Sequence, residues 1–304
     1  MTERPRTALE DLRAAGFAPS ALAPFLVRVV RDALPAAVEP ASRRRAFWRA
    51  LAVTYASLVA LYVPAVRFLP VGAAVQLCAV LAVWLVALGA LCYLALPLVR
   101  HPDGTPLTKY TVANALTLWR LGSVPLIVGL ILHARSLAPI GPFAFAFYVT
   151  SVTTDIADGL IARASKTETD FGRAVDPLAD VLVQLAVVWA LAASRAVPWW
   201  LVVAVTLRYT VAPVGALGIL LLRGPFRVYP TTLGKVSGLC VSFTASWIVL
   251  RETVGPAWTY GPWFAWVVIG CAVVCAAQSA ELIYLGVQEM RGKGTAPPPR
   301  PKTR

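Results

Sequence analysis

Four aspartates stand close together in the chain, Asp155 with Asp158 and Asp176 with Asp180. Spacings of three and four residues put each pair on one face of a helix. Gly159 and Ala162 fall on the aspartate-bearing side of the first helix, and Gly172 precedes the second pair. Residues this small leave room for a bulky ligand to approach the backbone. Taken singly, their usual role in membrane helices is close packing; beside four carboxylates the ligand-binding reading gains weight.

Carboxylates at membrane depth cost at least about 2.5–3.5 kcal/mol each on insertion scales, so a cluster of them calls for cations. Arg163 cannot balance four acids. Divalent ions can, and a donor set made only of oxygen favours Mg2+ or Mn2+ over zinc.

The elements that must carry these residues are membrane helices. The chain has 304 residues, 58% of them hydrophobic and 14% charged, with a mean hydropathy of +0.69. That is too apolar for a soluble domain. A span needs roughly 20 apolar residues, and the sequence predicts eight, near 47–68, 71–99, 111–132, 141–162, 177–194, 197–222, 236–250 and 262–286. The charged first forty or so residues contain no early apolar run of the kind a cleavable signal needs. The cysteines, including Cys271 and Cys275 on one helix face, all fall in apolar spans and are expected to be small buried hydrophobes, without disulfides or a thiolate metal site.

The net charge of +13 follows the membrane and not a nucleic acid. Arg43, Arg44, Arg45 and Arg49 precede the first span, and Arg100 and Lys109 follow the second. Arg163, Lys166 and Arg173 lie between the fourth and fifth, Arg223, Arg227 and Lys235 after the sixth, and Arg291 and Lys293 after the eighth. These segments alternate along the chain, so the positive-inside rule places them, both termini and the aspartates on the cytoplasmic side. Opposite loops carry only Arg67, Arg135, Arg195 and Arg251, beside tryptophans such as Trp199 and Trp200. Between Ala21 and Leu34 an apolar stripe with Arg28 and Arg31 reads either as a helix lying in the interface or as a short packed surface helix.

From Asp155 to Asp180 the residues fit D-x2-D-G-x2-A-R-x8-G-x3-D-x3-D at every fixed position, and Asn114, Thr117 and Arg120 form N-x-x-T-x-x-R in the third span. This pattern resembles the CDP-alcohol phosphatidyltransferases. Arg208-Tyr209 and the run from Pro230 to Lys235 look most like the branch of phosphatidylglycerophosphate and cardiolipin synthases. The resemblance implies an all-α integral membrane protein of the inner or cell membrane, working as a homodimer. Its six-helix core would occupy 100–288, preceded by two extra transmembrane helices in 47–99. A cytoplasmic or interfacial segment, 1–46, and a disordered basic tail, 289–304, complete the expected organisation.

It further implies transfer of a phosphatidyl group from CDP-diacylglycerol to a small alcohol, releasing CMP in phospholipid biosynthesis. Asp155, Asp158 and Asp176 would hold two divalent cations on the pyrophosphate. Asp180 would touch a metal and take the proton of the attacking hydroxyl. Gly159, Ala162, Arg163, Thr169, Gly172, Asn114 and Thr117 would line the site of the CDP-linked donor, although Arg163 also reads as an ordinary topological anchor. Arg208, Arg227 and Lys235 read equally as a pocket for a phosphorylated acceptor such as glycerol 3-phosphate and as charges that set topology. Inositol phosphate, phosphatidylglycerol and serine are alternative acceptors. A UbiA-type prenyltransferase has acidic motifs far apart in sequence, and a transporter would line a path across the bilayer with its acids; the continuous signature argues against the first and its position at the membrane edge against the second, as its completeness does against a non-catalytic protein.

Overall fold

The computed structural model describes residues 8–38, 41–101, 105, 107, 110–134, 137–165, 167–223, 231–253, 255 and 261–291. Among them the regular elements are helices. They are α1 (Ala8–Ala14), α2 (Pro19–Val38), α3 (Ala41–Val66), α4 (Val71–Leu94), α5 (Val112–Ala134), α6 (Gly141–Ala164), α7 (Asp170–Ala193), α8 (Trp199–Arg223), α9 (Thr232–Thr253) and α10 (Trp263–Met290), with 3-10 turns at Leu96–Leu98 and Ala138–Ile140. Seven of them, α3, α4, α5, α7, α8, α9 and α10, are long and apolar enough to cross a bilayer, so the chain is an integral membrane protein. α6 is not one of the seven. Thr150, Ser151, Thr153, Thr154, Asp155 and Asp158 make its middle polar.

Threonine caps fix three helix starts. Thr111, Thr169 and Thr231 immediately precede α5, α7 and α9, and each hydroxyl oxygen accepts the amide N–H three residues on, from Asn114 (3.2 Å), Gly172 (2.9 Å) and Gly234 (3.0 Å). Such caps satisfy one of the donors that a helix N-terminus leaves open. The cap at Thr169, with Asp170 in the first turn complementing the helix dipole, starts α7 at Asp170, seven residues before the span predicted from hydropathy.

The chain divides into two compact units. The first comprises Met1–Ala190 with Glu252–Val254. In it α5 is the central element, packed against α6 on one side and α3 and α4 on another. A buried cluster of Phe47, Leu51, Leu88, Cys92, Leu96, Val99, Tyr110, Leu118, Leu121 and Phe171 joins α3, α4, the 3-10 turn after α4, α5 and α7. Val80, Val83 and Val86 of α4 are exposed, as expected of side chains that face lipid. Along α2, Leu22, Leu26, Val29, Val30 and Leu34 are also exposed, while Arg28 pairs with Asp11.

The second unit comprises Leu191–Arg251 and Gly255–Arg304. A polar network ties α8, α9 and α10 together. Arg208 donates from Nε to Ser237 Oγ (2.8 Å) and from Nη2 to the Gly234 carbonyl (3.2 Å), with its guanidinium 4.1 Å from the centre of the Tyr209 ring. Ser237 Oγ lies 3.0 Å from Gln278 Oε1. Glu281, unexplained by sequence, accepts the hydroxyl proton of Thr231 at 2.9 Å, which orients that cap.

Candidate active site

α5 presents Asn114, Thr117 and Arg120 at three-residue intervals, all at most 2% exposed. That spacing keeps them near one face of the helix. Thr117 Oγ1 stands 2.8 Å from Asp176 Oδ1 and 3.4 Å from Asp158 Oδ2. It has one proton to give, and the shorter contact marks Asp176 as its recipient. Arg120 pairs with Asp155 through Nη1, which also lies 3.7 Å from Asp158 Oδ2, and its Nη2 lies 3.5 Å from the Asp176 carbonyl. Residues of α5 thus bring together the α6 pair and Asp176 of α7.

These carboxylates differ in environment. The Asp158 side chain is 5% exposed, whereas that of Asp155 is 45% exposed. A buried guanidinium among carboxylates lowers the cost of holding them without an ion. Arg120 stands between Asp155 and Asp158, and among the described residues no three His, Cys, Asp or Glu side chains lie close enough to hold an ion as they are. Three carboxylates against one guanidinium still leave an excess of negative charge.

Beside them opens a cavity of about 230 Å³. Asn114, Thr117, Asp158, Gly159, Ala162, Thr169, Gly172 and Asp176 all line it. Thr169 Oγ1 donates to Asn114 Oδ1 at 3.1 Å while accepting the Gly172 N–H. The Asn114 amide nitrogen is left buried with no hydrogen-bond partner, an atom with donors to spare for a ligand. A Cβ on Gly172 would lie 3.3 Å from Asp176 Oδ2, 3.4 Å from Thr169 Oγ1 and 3.7 Å from Asn114 Oδ1. Three oxygens therefore frame a space that the glycine leaves open. An oxygen-rich, net-acidic setting of this kind fits a hard divalent ion.

Asp155 is not among the cavity-lining residues; Asp180 lies half-buried one turn beyond Asp176 on α7. The side chain of Arg163 and the whole of Arg227 lie outside the described residues. Arg208 belongs to the polar network of the second unit, and Lys235 is exposed in the first turn of α9. Sequence reasoning assigned no role to Arg120, although its spacing from Thr117 was the available signal. It also passed over Glu168 and read Arg173 only as a topological charge; the two line the cavity 3.5 Å from each other.

Comparison with known proteins bears on this site. The family model described as CDP-alcohol phosphatidyltransferase matches residues 110–277. A putative cardiolipin synthase of Mycobacterium tuberculosis is 31% identical over 152 residues, 49% of this chain and 69% of the relative. A cardiolipin synthase (CMP-forming) of Streptomyces coelicolor is 28% identical over 53% of this chain and 74% of its own length. A CDP-diacylglycerol--glycerol-3-phosphate 3-phosphatidyltransferase of Salmonella choleraesuis is 29% identical over 49% of this chain and 76% of its own length. No solved structure matches the chain.

Proposed function

Because this chain belongs to the CDP-alcohol phosphatidyltransferase family, we propose that the cavity beside Asp158 and Asp176 receives the nucleotide end of CDP-diacylglycerol, and that the acceptor is a small alcohol bearing a phosphate, glycerol 3-phosphate foremost. The chain is an enzyme of phosphatidyl transfer in phospholipid synthesis. The observation that carries the proposal is the convergence of Asp158 and Asp176 on Thr117 at a cavity otherwise lined by small residues, amide and hydroxyl groups, and the Glu168–Arg173 pair.

In this reading Asn114 Nδ2, buried and unpaired, donates to the nucleotide, and Gly159, Ala162 and Gly172 let it approach the backbone. Thr169 holds the Asn114 side chain, and Thr117 orients the Asp176 carboxylate. Arg163 joins them as a phosphate ligand. Two divalent ions, Mg2+ or Mn2+, held when bound by Asp155, Asp158, Asp176 and Asp180, supply positive charge at the pyrophosphate oxygens. Asp180 removes the proton of the acceptor hydroxyl as its oxygen attacks the phosphorus that carries diacylglycerol. The bond from that phosphorus to the CMP oxygen breaks, and CMP leaves. The new phosphodiester remains in the membrane.

Arg208, Arg227 and Lys235 are assigned to the acceptor's phosphate. The fixed guanidinium of Arg208, held by Ser237 and Gly234, is preorganised for an anion. The second reading, phosphatidylglycerol as acceptor, is favoured by the relatives named cardiolipin synthase. Both acceptors offer a glycerol hydroxyl near a phosphate, and one basic site suits either. The proposal includes a cytoplasmic active site, cytoplasmic termini, a homodimer, and a catalytic core of α5 to α10 with α3 and α4 added to it.

The test is CMP release by purified protein in micelles with CDP-diacylglycerol and Mg2+ or Mn2+. Glycerol 3-phosphate, phosphatidylglycerol, inositol phosphate and serine are supplied separately, with Asp180→Asn as control. Release with a phosphate-bearing acceptor that the substitution abolishes supports the reading. Release with serine alone would overturn the acceptor assignment, and undiminished release by Asp180→Asn would overturn the assignment of the base.

A further inference from the structure

Two features of α5 are directed away from the cavity. Pro125 has no N–H, so the carbonyl of Leu121, four residues earlier, lacks its helical donor. Trp84 of α4 supplies one, its indole Nε1 lying 2.8 Å from the Leu121 oxygen. In a bilayer no water is at hand to do this instead. The second feature is a pair of glycines. A Cβ on Gly122 would lie 2.7 Å from Leu58 Cδ1 of α3 and 3.3 Å from Leu85 Cδ2 of α4, and one on Gly129 would lie 2.6 Å from Leu77 Cδ1 of α4. α3 and α4 are therefore seated on α5 through shaped sockets and a specific hydrogen bond.

A second attachment reaches α7. Just past α4, the Arg100 carbonyl accepts the Asp170 N–H at 3.0 Å, and Arg100 Nε donates to Asp170 Oδ2 at 2.7 Å. Asp170 opens α7 directly after Thr169. Close by, Phe47 of α3, Tyr110 and Phe171 of α7 form an edge-on aromatic row, with ring centres 5.5 and 5.8 Å apart. The two attachments grip α5 and α7, the helices bridged at the cavity by the hydrogen bond from Thr169 to Asn114.

We infer that α3, α4 and the segment through Arg100 form a brace that sets α5 against α7 and so fixes the shape of the nucleotide cavity, with Trp84, Gly122, Gly129 and Arg100 as positioning residues. A passive pair of added spans would need neither a donor for one carbonyl nor a clip at the start of α7. The inference rests on the reading of the cavity as the nucleotide site.

The experiment measures equilibrium binding of CMP with Mn2+ to the purified full chain in micelles, alongside KM for CDP-diacylglycerol and the melting temperature. The variants are Trp84→Phe, Gly122→Ala, Arg100→Gln and the double variant Gly122→Ala with Leu58→Ala, with Asp158→Asn as site control. The brace predicts about tenfold weaker CMP binding and a raised donor KM in the single variants, with binding recovered to within about threefold in the double variant, where the shortened side chain makes room. Unchanged CMP binding with only a lowered melting temperature would overturn it and leave α3 and α4 as a stabilising addition. Absence of CMP binding by the unaltered protein, or equal binding by Asp158→Asn, would instead remove the premise about the cavity. Arg100→Gln, on a half-exposed side chain, supplies the readout if the buried substitutions prevent folding.

Discussion

Replacing Arg120 with methionine tests whether its charge holds the carboxylates together before any ion arrives. The guanidinium is 2% exposed, pairs with Asp155 and lies 3.7 Å from the buried Asp158. At that separation the attraction is about 4.5 kcal/mol for an effective dielectric of 20. Removing one partner of a buried pair typically costs about 3–5 kcal/mol. Asp155 is half in solvent, so the lower end, about 3 kcal/mol, is the expectation here. For a chain of 304 residues that corresponds to a fall of roughly 5 °C in melting temperature. Divalent ions should relieve the same repulsion. In micelles containing EDTA the Arg120→Met protein should therefore melt well below the unaltered one, and saturating Mn2+ should close at least half of the gap. Arg120→Lys, which keeps a charge but loses the fork, should fall between them. A drop of equal size with and without Mn2+ would refute the argument, because it would make Arg120 a packing residue and not a counter-charge.

Other substitutions separate the remaining roles. Gly172→Val should fill the space framed by Asp176, Thr169 and Asn114 and raise the Mn2+ concentration needed for half-maximal CMP release several-fold, read from a metal titration. Thr169→Val removes the cap of α7 and the hydroxyl that holds Asn114; it should cost about 1 kcal/mol of stability and weaken CMP binding, measured by melting and calorimetry. Asp180→Asn should lower kcat by about 10²- to 10⁴-fold in the CMP-release assay while CMP still binds. Arg208→Met should raise KM for a phosphate-bearing acceptor and leave KM for CDP-diacylglycerol unchanged, measured with each substrate varied in turn.

Much of this was legible in the chain before any coordinates. The spacing of Asp155, Asp158, Asp176 and Asp180 is local, so helical periodicity alone pairs them, and the resemblance of the continuous signature to the family is matched by the family model over 110–277. The spans follow from hydropathy, apart from α6, whose threonines and aspartates keep it below the apolarity of the other seven. Hydropathy also started the fifth span at Pro177, because the first turns from Asp170 are polar; the Thr169 cap holds them, and the burial of Phe171 within them is not visible in a hydropathy average. What sequence did not disclose depends on contacts between distant residues. Arg120 meets Asp155 across 35 positions, and the Leu121 carbonyl meets Trp84 across 37. Nothing in the local pattern of α4 distinguishes Trp84 from a lipid-facing aromatic. Glu281 likewise acquires a reason only through Thr231, 50 residues earlier.

The threonine cap of α7 has a consequence for engineering. Helix N-termini are favoured places to stabilise a protein, and aspartate is a usual replacement for threonine there. At Thr169 that improvement would be self-defeating. The hydroxyl accepts from Gly172 and donates to Asn114 at once, whereas an ionised aspartate can only accept. It would release the asparagine and set one more negative charge at the wall that is proposed to face a pyrophosphate. A screen that selects thermostable variants should thus enrich stronger caps elsewhere in the chain and leave this position alone whenever activity is selected as well; the same screen run on stability alone should lose the threonine first.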